Sequence, residues 1–307
     1  MSEIDFSQMR EPKFSKKAYE SAQGMIDRVN RKSGFLNFKQ CNACYCSDYV
    51  FESKKLGIDI LRCNNCGVSF SSLYPRNFDD LYSDDAYLNK SLVAYDLSRK
   101  YRIERFAKER IAILNQYHHE GTLLDVGCGT GWFLEEATKK YQVAGVEYSD
   151  SLRSWLQDNL GISSWKTIED VPGNFDIITA FDLIEHVVDP YLMLQKMKNK
   201  LKKDGKILIY TPNKNSLSFK ILGEKNNLVC PPQHLFYFDE ISFIKMANKV
   251  GLICISYETK GTDVEDIRSY YECWKDSSIH GFNPSEAQRF LDEIGFSNHA
   301  RFILKHR

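Results

Sequence analysis

The sequence predicts an α/β protein in which helices cover both faces of a parallel sheet, with a small cysteine-rich module ahead of it. Two observations predict the sheet. Apolar runs alternate with helical patterns over most of the chain, and one run leads into a glycine-rich turn that opens a helix. A third observation predicts the module, because five of the nine cysteines lie between positions 41 and 66. A chain of 307 residues is long enough for one substantial core and a smaller unit.

The charge balance and the apolar runs exclude several classes of function. The 41 basic and 41 acidic side chains cancel, so no global field favours nucleic acid or an anionic membrane, and we expect neither as a partner. No apolar run approaches the roughly 18 residues of a membrane span. Asp5, Glu11 and Lys13 interrupt the N-terminus, unlike a secretory signal. An N-terminus unlike a secretory signal and an odd number of cysteines together predict a cytoplasmic protein without a disulfide framework.

The N-terminal third of the chain divides into three predicted segments. Residues 1–39 form a polar extension with a helix predicted from Lys16 to Lys32. Residues 40–75 form the cysteine module, in which residues 49–52 and 58–62 are predicted as the strands of a hairpin. Residues 76–118 form a linker and helical lid, whose Tyr- and Asp-rich part at 79–90 could fold over the active site.

The cysteine module has the spacing of a zinc ribbon. Cys41, Cys44, Cys63 and Cys66 follow the pattern C-x2-C-x18-C-x2-C, typical of a four-thiolate zinc site. Four sulfur ligands leave no open coordination position, so the zinc would be structural and would supply much of the stability of so small a module. The alternatives are four thiols without metal, or Cys46 in place of Cys44 as a ligand.

Residues 119–307 are predicted to form the α/β domain. The predicted strands fall near 122–126, 142–146, 163–167, 175–180, 206–211, 252–258 and 299–305. The predicted helices fall near 131–140, 150–160, 189–202, 239–250 and 284–294, and a helix at 97–117 precedes the first strand.

The glycine-rich turn after the first of these strands predicts a nucleotide-containing cofactor. Gly127, Gly129 and Gly131 leave no Cβ between the backbone and a ligand, and the next helix presents free N–H groups. Glu147, at the end of the second strand, suits the two hydroxyls of a ribose. A dinucleotide fold would space its last two glycines one residue further apart. The carboxylate of Asp125 would repel a pyrophosphate and suits a cationic ligand.

At these residues the chain resembles the class I S-adenosylmethionine-dependent methyltransferases. The resemblance extends to Phe175–Val187, Leu201–Asn213 and Pro232–Phe238, which are similar to later segments of that family in the same order. It implies a Rossmann-like seven-stranded sheet with an antiparallel last strand, and S-adenosylmethionine as the cofactor. With its N-terminal zinc ribbon, the layout is similar to methyltransferases that act on nucleotide-linked sugars and secondary-metabolite intermediates.

The resemblance also implies roles for individual residues around the cofactor. Asp125 would orient its methionine end, Glu147 would accept hydrogen bonds from the ribose, and Tyr148 would lie along the adenine. The remaining implied contacts are to the adenine edge or the pocket wall, from Ile168, Glu169, Phe181 and Asp182. Asp125 could instead only shape the glycine turn, and Phe181 could equally be a core residue.

Two histidines are candidates for the base that takes the proton of a methyl acceptor. His186 follows the fourth strand, and His234 follows the fifth in the region that carries the substrate side in related folds. We favour His234, because His186 could equally be a cap or packing residue. Related sugar C-methyltransferases carry a Glu-His pair here, whereas this chain has Gln233 before His234, which weakens the case for a carbon acceptor.

The sequence therefore predicts an S-adenosylmethionine-dependent methyltransferase that transfers to oxygen on a small sugar-like or secondary-metabolite acceptor. The first alternative is a carbon methyltransferase acting on a nucleotide-linked sugar. The second is a catalytically silent zinc-ribbon interaction protein, and the third is a nicotinamide dehydrogenase, which the glycine spacing disfavours.

Overall fold

The computed structural model describes residues 14–82, 98–271 and 283–307, with side chains described from residue 19 onward. Most of the predicted lid over residues 79–90 lies outside these ranges. Within them, no helix combines the length and the apolar character that crossing a bilayer requires.

A seven-stranded sheet forms the centre of the molecule, with strands β6 (Gly121–Val126), β7 (Tyr141–Val146), β8 (Ser164–Trp165), β9 (Phe175–Phe181), β10 (Leu201–Pro212), β12 (Leu252–Lys260) and β13 (His299–His306). They lie side by side in the order β12-β13-β10-β9-β6-β7-β8. The five strands from β6 to β10 are parallel, and β13 runs antiparallel between β10 and β12. The predicted Rossmann-like sheet with an antiparallel last strand is confirmed.

Helices connect these strands and cover the sheet. They are α3 (Lys108–Leu114), α4 (Trp132–Ala137), α5 (Asp150–Leu160), α6 (Pro190–Lys200), α7 (Leu217–Leu222), α8 (Glu240–Val250), α9 (Asp263–Tyr271) and α10 (Pro284–Glu293). The bounds of α5 and α8 follow from their caps. Ser149 accepts from the N–H of Leu152 at the start of α5, and left-handed Gly161 ends it. Asp239 and Ser242 form a capping box that starts α8, and Gly251 ends it.

The N-terminal part begins with α1 (Phe14–Lys32) and continues into two small sheets. One pairs β1 (Phe35–Asn37) with β5 (Leu73–Pro75), and a short α2 (Asp79–Tyr82) follows it. The other has four strands in the order β11-β4-β3-β2, with β2 (Tyr49–Lys55), β3 (Ile58–Cys63), β4 (Ser69–Ser71) and β11 (Phe236–Tyr237). Because β11 comes from the C-terminal half of the chain, the ribbon sheet is completed by the α/β domain.

The buried apolar residues join the two parts in one core. A continuous cluster runs from Phe38 and Phe70 in the ribbon, through Phe236, to the residues on one face of the large sheet. A second cluster, which includes Leu114, Phe133 and Leu156, covers the opposite face. The ribbon is therefore packed into the domain as part of its hydrophobic core.

Several predicted elements differ in length from the observed ones, and three of them differ at a boundary whose cause the structure shows. The helix expected at 189–202 ends at Lys200, because extended Leu201 begins β10 and pairs with Phe175. The strand expected at 206–211 accordingly starts at Leu201. The helix expected at 131–140 ends at Ala137, and residues 138–140 form a turn into β7.

Candidate active site

The glycine turn lies between β6 and α4, with all three glycines at positive φ: 80° at Gly127, 53° at Gly129 and 73° at Gly131. A Cβ added to Gly131 would come within 2.5 Å of the side chain of Leu156 on α5. A Cβ added to Gly129 would meet no atom within 4 Å. The third glycine is therefore required by packing, whereas the second borders open space and leaves the backbone accessible there.

Two buried carboxylates flank this turn. Asp125 is 3% exposed and accepts a hydrogen bond of 2.7 Å from the Thr179 hydroxyl, while burial raises its pKa to about 7. Glu147 accepts from the N–H groups of Gly129 and Ser149, each at 2.9 Å, and burial raises its pKa as well. Glu147 therefore fastens the end of β7 to the glycine turn, and each of its oxygens retains a lone pair for a further donor.

The other predicted cofactor residues lie at different depths. Tyr148 is exposed, and its hydroxyl donates to Asp79 at 2.8 Å. Ile168 is buried, whereas Glu169 is exposed and forms an ion pair with Lys196. Asp182 follows β9 with a φ of 53°, an unusual conformation for a residue with a Cβ, and its side chain is 48% exposed.

Phe181 packs in an aromatic group around a buried arginine that the sequence did not single out. The guanidinium carbon of Arg110 lies 3.9 Å from the ring centre of Phe181, 4.9 Å from that of Trp132 and 4.8 Å from that of Tyr210. Its Nε and Nη1 atoms are buried and have no hydrogen-bond partner among the described residues. Arg110 falls at an inward position of its helix, but no sequence pattern identifies what a buried guanidinium would face.

The two candidate bases lie side by side. His186 follows β9, His234 precedes β11, and their ring centres are 4.7 Å apart in an edge-to-face arrangement. His186 Nδ1 lies 2.9 Å from the carbonyl oxygen of Gln233, and His234 Nδ1 lies 2.7 Å from that of Leu228. Burial lowers the pKa of both imidazoles, which favours their neutral forms. The tertiary structure thus brings together residues that are far apart in the sequence.

A buried glutamate completes this group. Glu185 is 1% exposed, its Oε2 accepts from the Thr211 hydroxyl at 3.0 Å, and its Oε1 lies 4.0 Å from His186 Nε2. Burial raises its pKa well above the usual range. The adjacent Glu-His pair was visible in the sequence, but nothing there distinguished an inward carboxylate from a solvated one.

The four predicted zinc ligands converge in the ribbon. All are buried, and their sulfur atoms lie within 4.8 Å of one another. The Cys41–Cys66 pair is 3.7 Å apart and the Cys44–Cys63 pair 3.5 Å apart. Zinc–sulfur bonds of about 2.3 Å place tetrahedral ligands roughly 3.8 Å apart, so the set fits a zinc ion. The Cys41 thiol, hydrogen-bonded to the Cys66 sulfur, lowers the pKa of Cys66 to about 5, whereas the neighbouring sulfur and burial raise the pKa of Cys41, and burial raises that of Cys63.

Cys46 lies outside this set. Its sulfur accepts from the N–H of Asp48 at 3.4 Å, and its side chain is only partly buried. Gly67 follows the second pair with a φ of 85°, which turns the chain from the knuckle into β4.

The ribbon contacts the segment that carries His234. Strand β4 pairs antiparallel with β11, and the N–H of Ser71 donates to the carbonyl of Leu235 at 2.8 Å. The N–H groups of Leu235 and Phe236 donate in turn to the carbonyl of Glu185, at 2.7 and 3.1 Å. The backbone of the histidine pair is therefore held between the ribbon and the end of β9.

Comparison with known proteins finds a family that matches the α/β domain. A family model described as a methyltransferase domain matches residues 98–257. The ubiquinone biosynthesis O-methyltransferase of Xanthomonas euvesicatoria pv. vesicatoria is 27% identical over 170 residues, which cover 50% of this chain and 67% of that protein. The Pseudomonas paraeruginosa protein of the same name is 29% identical over 125 residues, covering 36% and 54%. The protein of that name from Coxiella burnetii (strain Dugway 5J108-111) is 36% identical over 104 residues, which cover 30% of this chain and 44% of that protein. The chain thus spans about half the length of the curated relatives it matches.

Among solved structures, a SAM-dependent methyltransferase from Archaeoglobus fulgidus superposes with a TM-score of 0.50 at 18% identity. The superposition covers 72% of this chain and 100% of that one. At this level of identity the similarity concerns the fold.

Proposed function

The chain belongs to the methyltransferase domain family, and on that premise we propose that it is an S-adenosylmethionine-dependent methyltransferase that acts on a hydroxyl oxygen of a small acceptor. One observation carries the proposal. The glycine turn follows β6 and the histidine pair lies beside the end of β9, and these two strands are neighbours in the sheet. A ligand on the turn would thus lie next to two imidazoles.

The residues around the turn fit S-adenosylmethionine. Open space beside Gly129 admits a ligand against the backbone, and the buried carboxylate of Asp125 suits a cation. We assign Glu147 as the acceptor for the ribose hydroxyls, and Tyr148, which is exposed and adjacent in the chain, as the ring along the adenine. We further assign Ile168, Glu169, Phe181 and Asp182 to the pocket that would hold the adenine and the methionine chain.

The transfer we propose is an in-line displacement. When bound, S-adenosylmethionine supplies a methyl group on a positively charged sulfur. The acceptor oxygen forms a bond to that carbon as the sulfur–carbon bond breaks, so the protein's first task is to align the two. Its second task is to receive the hydroxyl proton, which we assign to the Nε2 of His234 or His186. The Nδ1 of each imidazole faces a backbone carbonyl, so Nε2 is the nitrogen free to accept.

The acceptor class follows from two observations. The relatives are named as O-methyltransferases, and Gln233 replaces the glutamate that a carbon acceptor would use as a base. We propose a small hydroxyl-bearing acceptor, either sugar-like or a secondary-metabolite intermediate.

In the ribbon we propose a structural zinc ion, held by Cys41, Cys44, Cys63 and Cys66. The four convergent, buried sulfurs support this assignment. They would occupy the whole coordination sphere, so the role of this ion would be to stabilise the module that contacts the histidine segment.

A transfer assay with histidine variants tests the function. Full-length protein is incubated with S-adenosylmethionine and a panel of nucleotide sugars and phenols, and S-adenosylhomocysteine is measured by mass spectrometry. We expect His234→Asn and His186→Asn to lower kcat by about 100-fold or more. Their affinity for the cofactor, measured by calorimetry, should stay close to wild type because neither ring belongs to the glycine turn.

The matched control is His119→Asn. His119 is exposed and lies just before β6, whereas the glycine turn follows the other end of that strand. Its variant should therefore behave as wild type. A protein that does not bind S-adenosylmethionine would contradict the proposed function. Unchanged kcat in both histidine variants would contradict the assignment of the base.

A further inference from the structure

We propose that Glu185, His186 and His234 form a binding site for a divalent transition-metal ion, separate from the zinc ribbon. One ligand atom from each of the three residues lies within 4.8 Å of the other two. Glu185 and His234 are buried, and the His186 side chain is 23% exposed, so solvent reaches the group mainly at His186.

The hydrogen bonds of the two imidazoles leave one lone pair on each ring directed away from the backbone. A carbonyl oxygen can only accept, so the Nδ1 atoms of His186 and His234 carry the hydrogens that point to Gln233 and Leu228. In a neutral imidazole the other nitrogen, Nε2, then has no hydrogen and can only accept or ligate. This is the arrangement that fixes the tautomer and the ring orientation of metal-binding histidines.

The carboxylate of Glu185 adds a third acceptor. Thr211 donates to its Oε2, whereas its Oε1 is buried and has no hydrogen-bond partner among the described residues. That oxygen lies 4.0 Å from His186 Nε2, too far for a hydrogen bond and close enough to share a ligand. Acceptors gathered this closely are unfavourable unless a proton or a cation lies among them, and a metal ion would take the place of that proton.

The ligand types indicate which cations fit. Two imidazole nitrogens and one carboxylate oxygen are the set used for iron, zinc, cobalt and related ions, whereas calcium and magnesium prefer oxygen ligands alone. Metal–ligand bonds of about 2.0–2.2 Å would draw the three atoms together by roughly an ångström from their present positions. Each ligand already has a second partner that holds it: Gln233, Leu228 and Thr211.

A three-residue site would leave a coordination position open, and an acceptor could reach it from the partly exposed side of His186. This metal site extends the proposed function. It rests on that function only for the identity of the group at the open position, which would be the hydroxyl of the acceptor. A hydroxyl at the open position would have its pKa lowered by the ion and would release its proton to water before the methyl transfer. The two imidazoles would then be ligands in the metal-loaded protein and the base in the metal-free one, because both roles use the same lone pair.

Cobalt(II) is the probe for the experiment, added to full-length protein whose ribbon is already loaded with zinc. Metal content after gel filtration and calorimetric titration should both give one cobalt per chain in addition to one zinc. Glu185→Gln, His186→Asn and His234→Asn should lose the cobalt and keep the zinc, which also shows that they have folded. Thr211→Val should weaken cobalt binding by about 10- to 100-fold, because Thr211 orients a ligand without being one.

The matched controls are Glu120→Gln and His119→Asn, which change the same residue types at exposed positions. Both should bind cobalt as the wild type does. A wild-type protein that holds zinc alone, or variants at Glu185 and His234 that bind cobalt normally, would overturn the metal site. In the first case, methyl transfer by the zinc-only protein would leave the proposed function intact. Cobalt binding without transfer to any acceptor would instead count against the function and keep the site.

Discussion

Asp125 is the residue whose chemistry depends most on where the fold places it. In the sequence it is a carboxylate before a glycine turn. In the structure it is buried beside Glu147, with the Thr179 hydroxyl as its hydrogen-bond donor. Because burial penalises the charged form more than this hydrogen bond favours it, the pKa of Asp125 rises from 3.8 to about 7. A carboxyl group with a pKa of about 7 shifts to its ionised form when a cationic ligand binds beside it.

This pKa predicts a pH-dependent stability of the cofactor-free protein. The folded-state pKa lies above the unfolded value, so the contribution of Asp125 is fully present below about pH 4 and is lost as the pH rises through 7. Asp125→Asn has no charge to bury. As the pH rises through that window, the free energy of unfolding of the wild type should therefore fall relative to that of the variant. The full loss is on the order of 4 kcal/mol. Chemical denaturation of both proteins at several pH values between 4 and 8 measures the difference, and parallel stability curves would refute it.

Other residues of the site differ in how far the sequence could predict them. His186 is recognisable because it follows a strand, and the carboxyl ends of parallel strands lie on the same side of the sheet. His234 is separated from the end of β10 by α7, so only the resemblance of its segment to the family made it recognisable. Glu185 and Arg110 are not recognisable, since a charged residue in a sequence is usually solvated. Only the structure shows that Glu185 has an unpaired, buried oxygen and that Arg110 lies among three aromatic rings.

At the scale of elements, the glycine turn combines two requirements that the sequence pattern does not separate. Gly131 allows α4 to approach the leucines of α5, whereas Gly129 borders open space. The three glycines look equivalent in the sequence because each occupies an alternate position. The structure shows that they differ: a side chain on Gly131 would collide with Leu156, and one on Gly129 would meet no atom.

A pair of alanine variants separates the two requirements. Gly131→Ala would place its Cβ 2.5 Å from Leu156, so we expect a loss of stability of about 1–3 kcal/mol from overpacking, with strain from the positive φ in addition. Gly129→Ala has only the φ strain and should remain the more stable variant, yet its methyl group would enter the space proposed for the cofactor. Thermal melts and S-adenosylmethionine titrations should therefore rank the two variants oppositely. Equal destabilisation with unchanged cofactor affinity at Gly129 would contradict this assignment.

At the scale of the whole molecule, the ribbon and the α/β domain form one unit. The second cysteine pair leads through Gly67 into β4, which pairs with β11 directly after the His234 segment. Lys214 fastens the same turn by donating to the carbonyl of Gly67 and to the Ser69 hydroxyl, both at 2.8 Å. The path from the proposed zinc ion to the histidine pair is therefore short and continuous.

Loss of one zinc ligand should consequently disturb the acceptor side and spare the cofactor side. In Cys63→Ser we expect faster hydrogen exchange at residues 230–238 and at least a tenfold loss of methyl transfer, because β4 would no longer be held in place. The affinity for S-adenosylmethionine should change little, since among the described residues no hydrogen bond joins the glycine turn or β7 to the cysteine pairs.

Cys46→Ser is the matched control for this experiment, because Cys46 lies outside the four-sulfur group. It should retain zinc, exchange protection and activity. Unaltered exchange at 230–238 in zinc-free Cys63→Ser would show that the ribbon does not position the histidine segment.

The sequence by itself determined the alternating strands and helices, the glycine turn and the four-cysteine spacing, because periodicity and short motifs encode local structure and the buried face of each element. The tertiary structure alone decided that β4 of the ribbon pairs with β11, and that Glu185, His186 and His234 converge. Strands of two or three residues have no measurable period. Contacts between residues almost fifty positions apart depend on the path of the intervening chain. Whether a carboxylate is solvated or buried without a partner is therefore decided only when the remote segments pack against it.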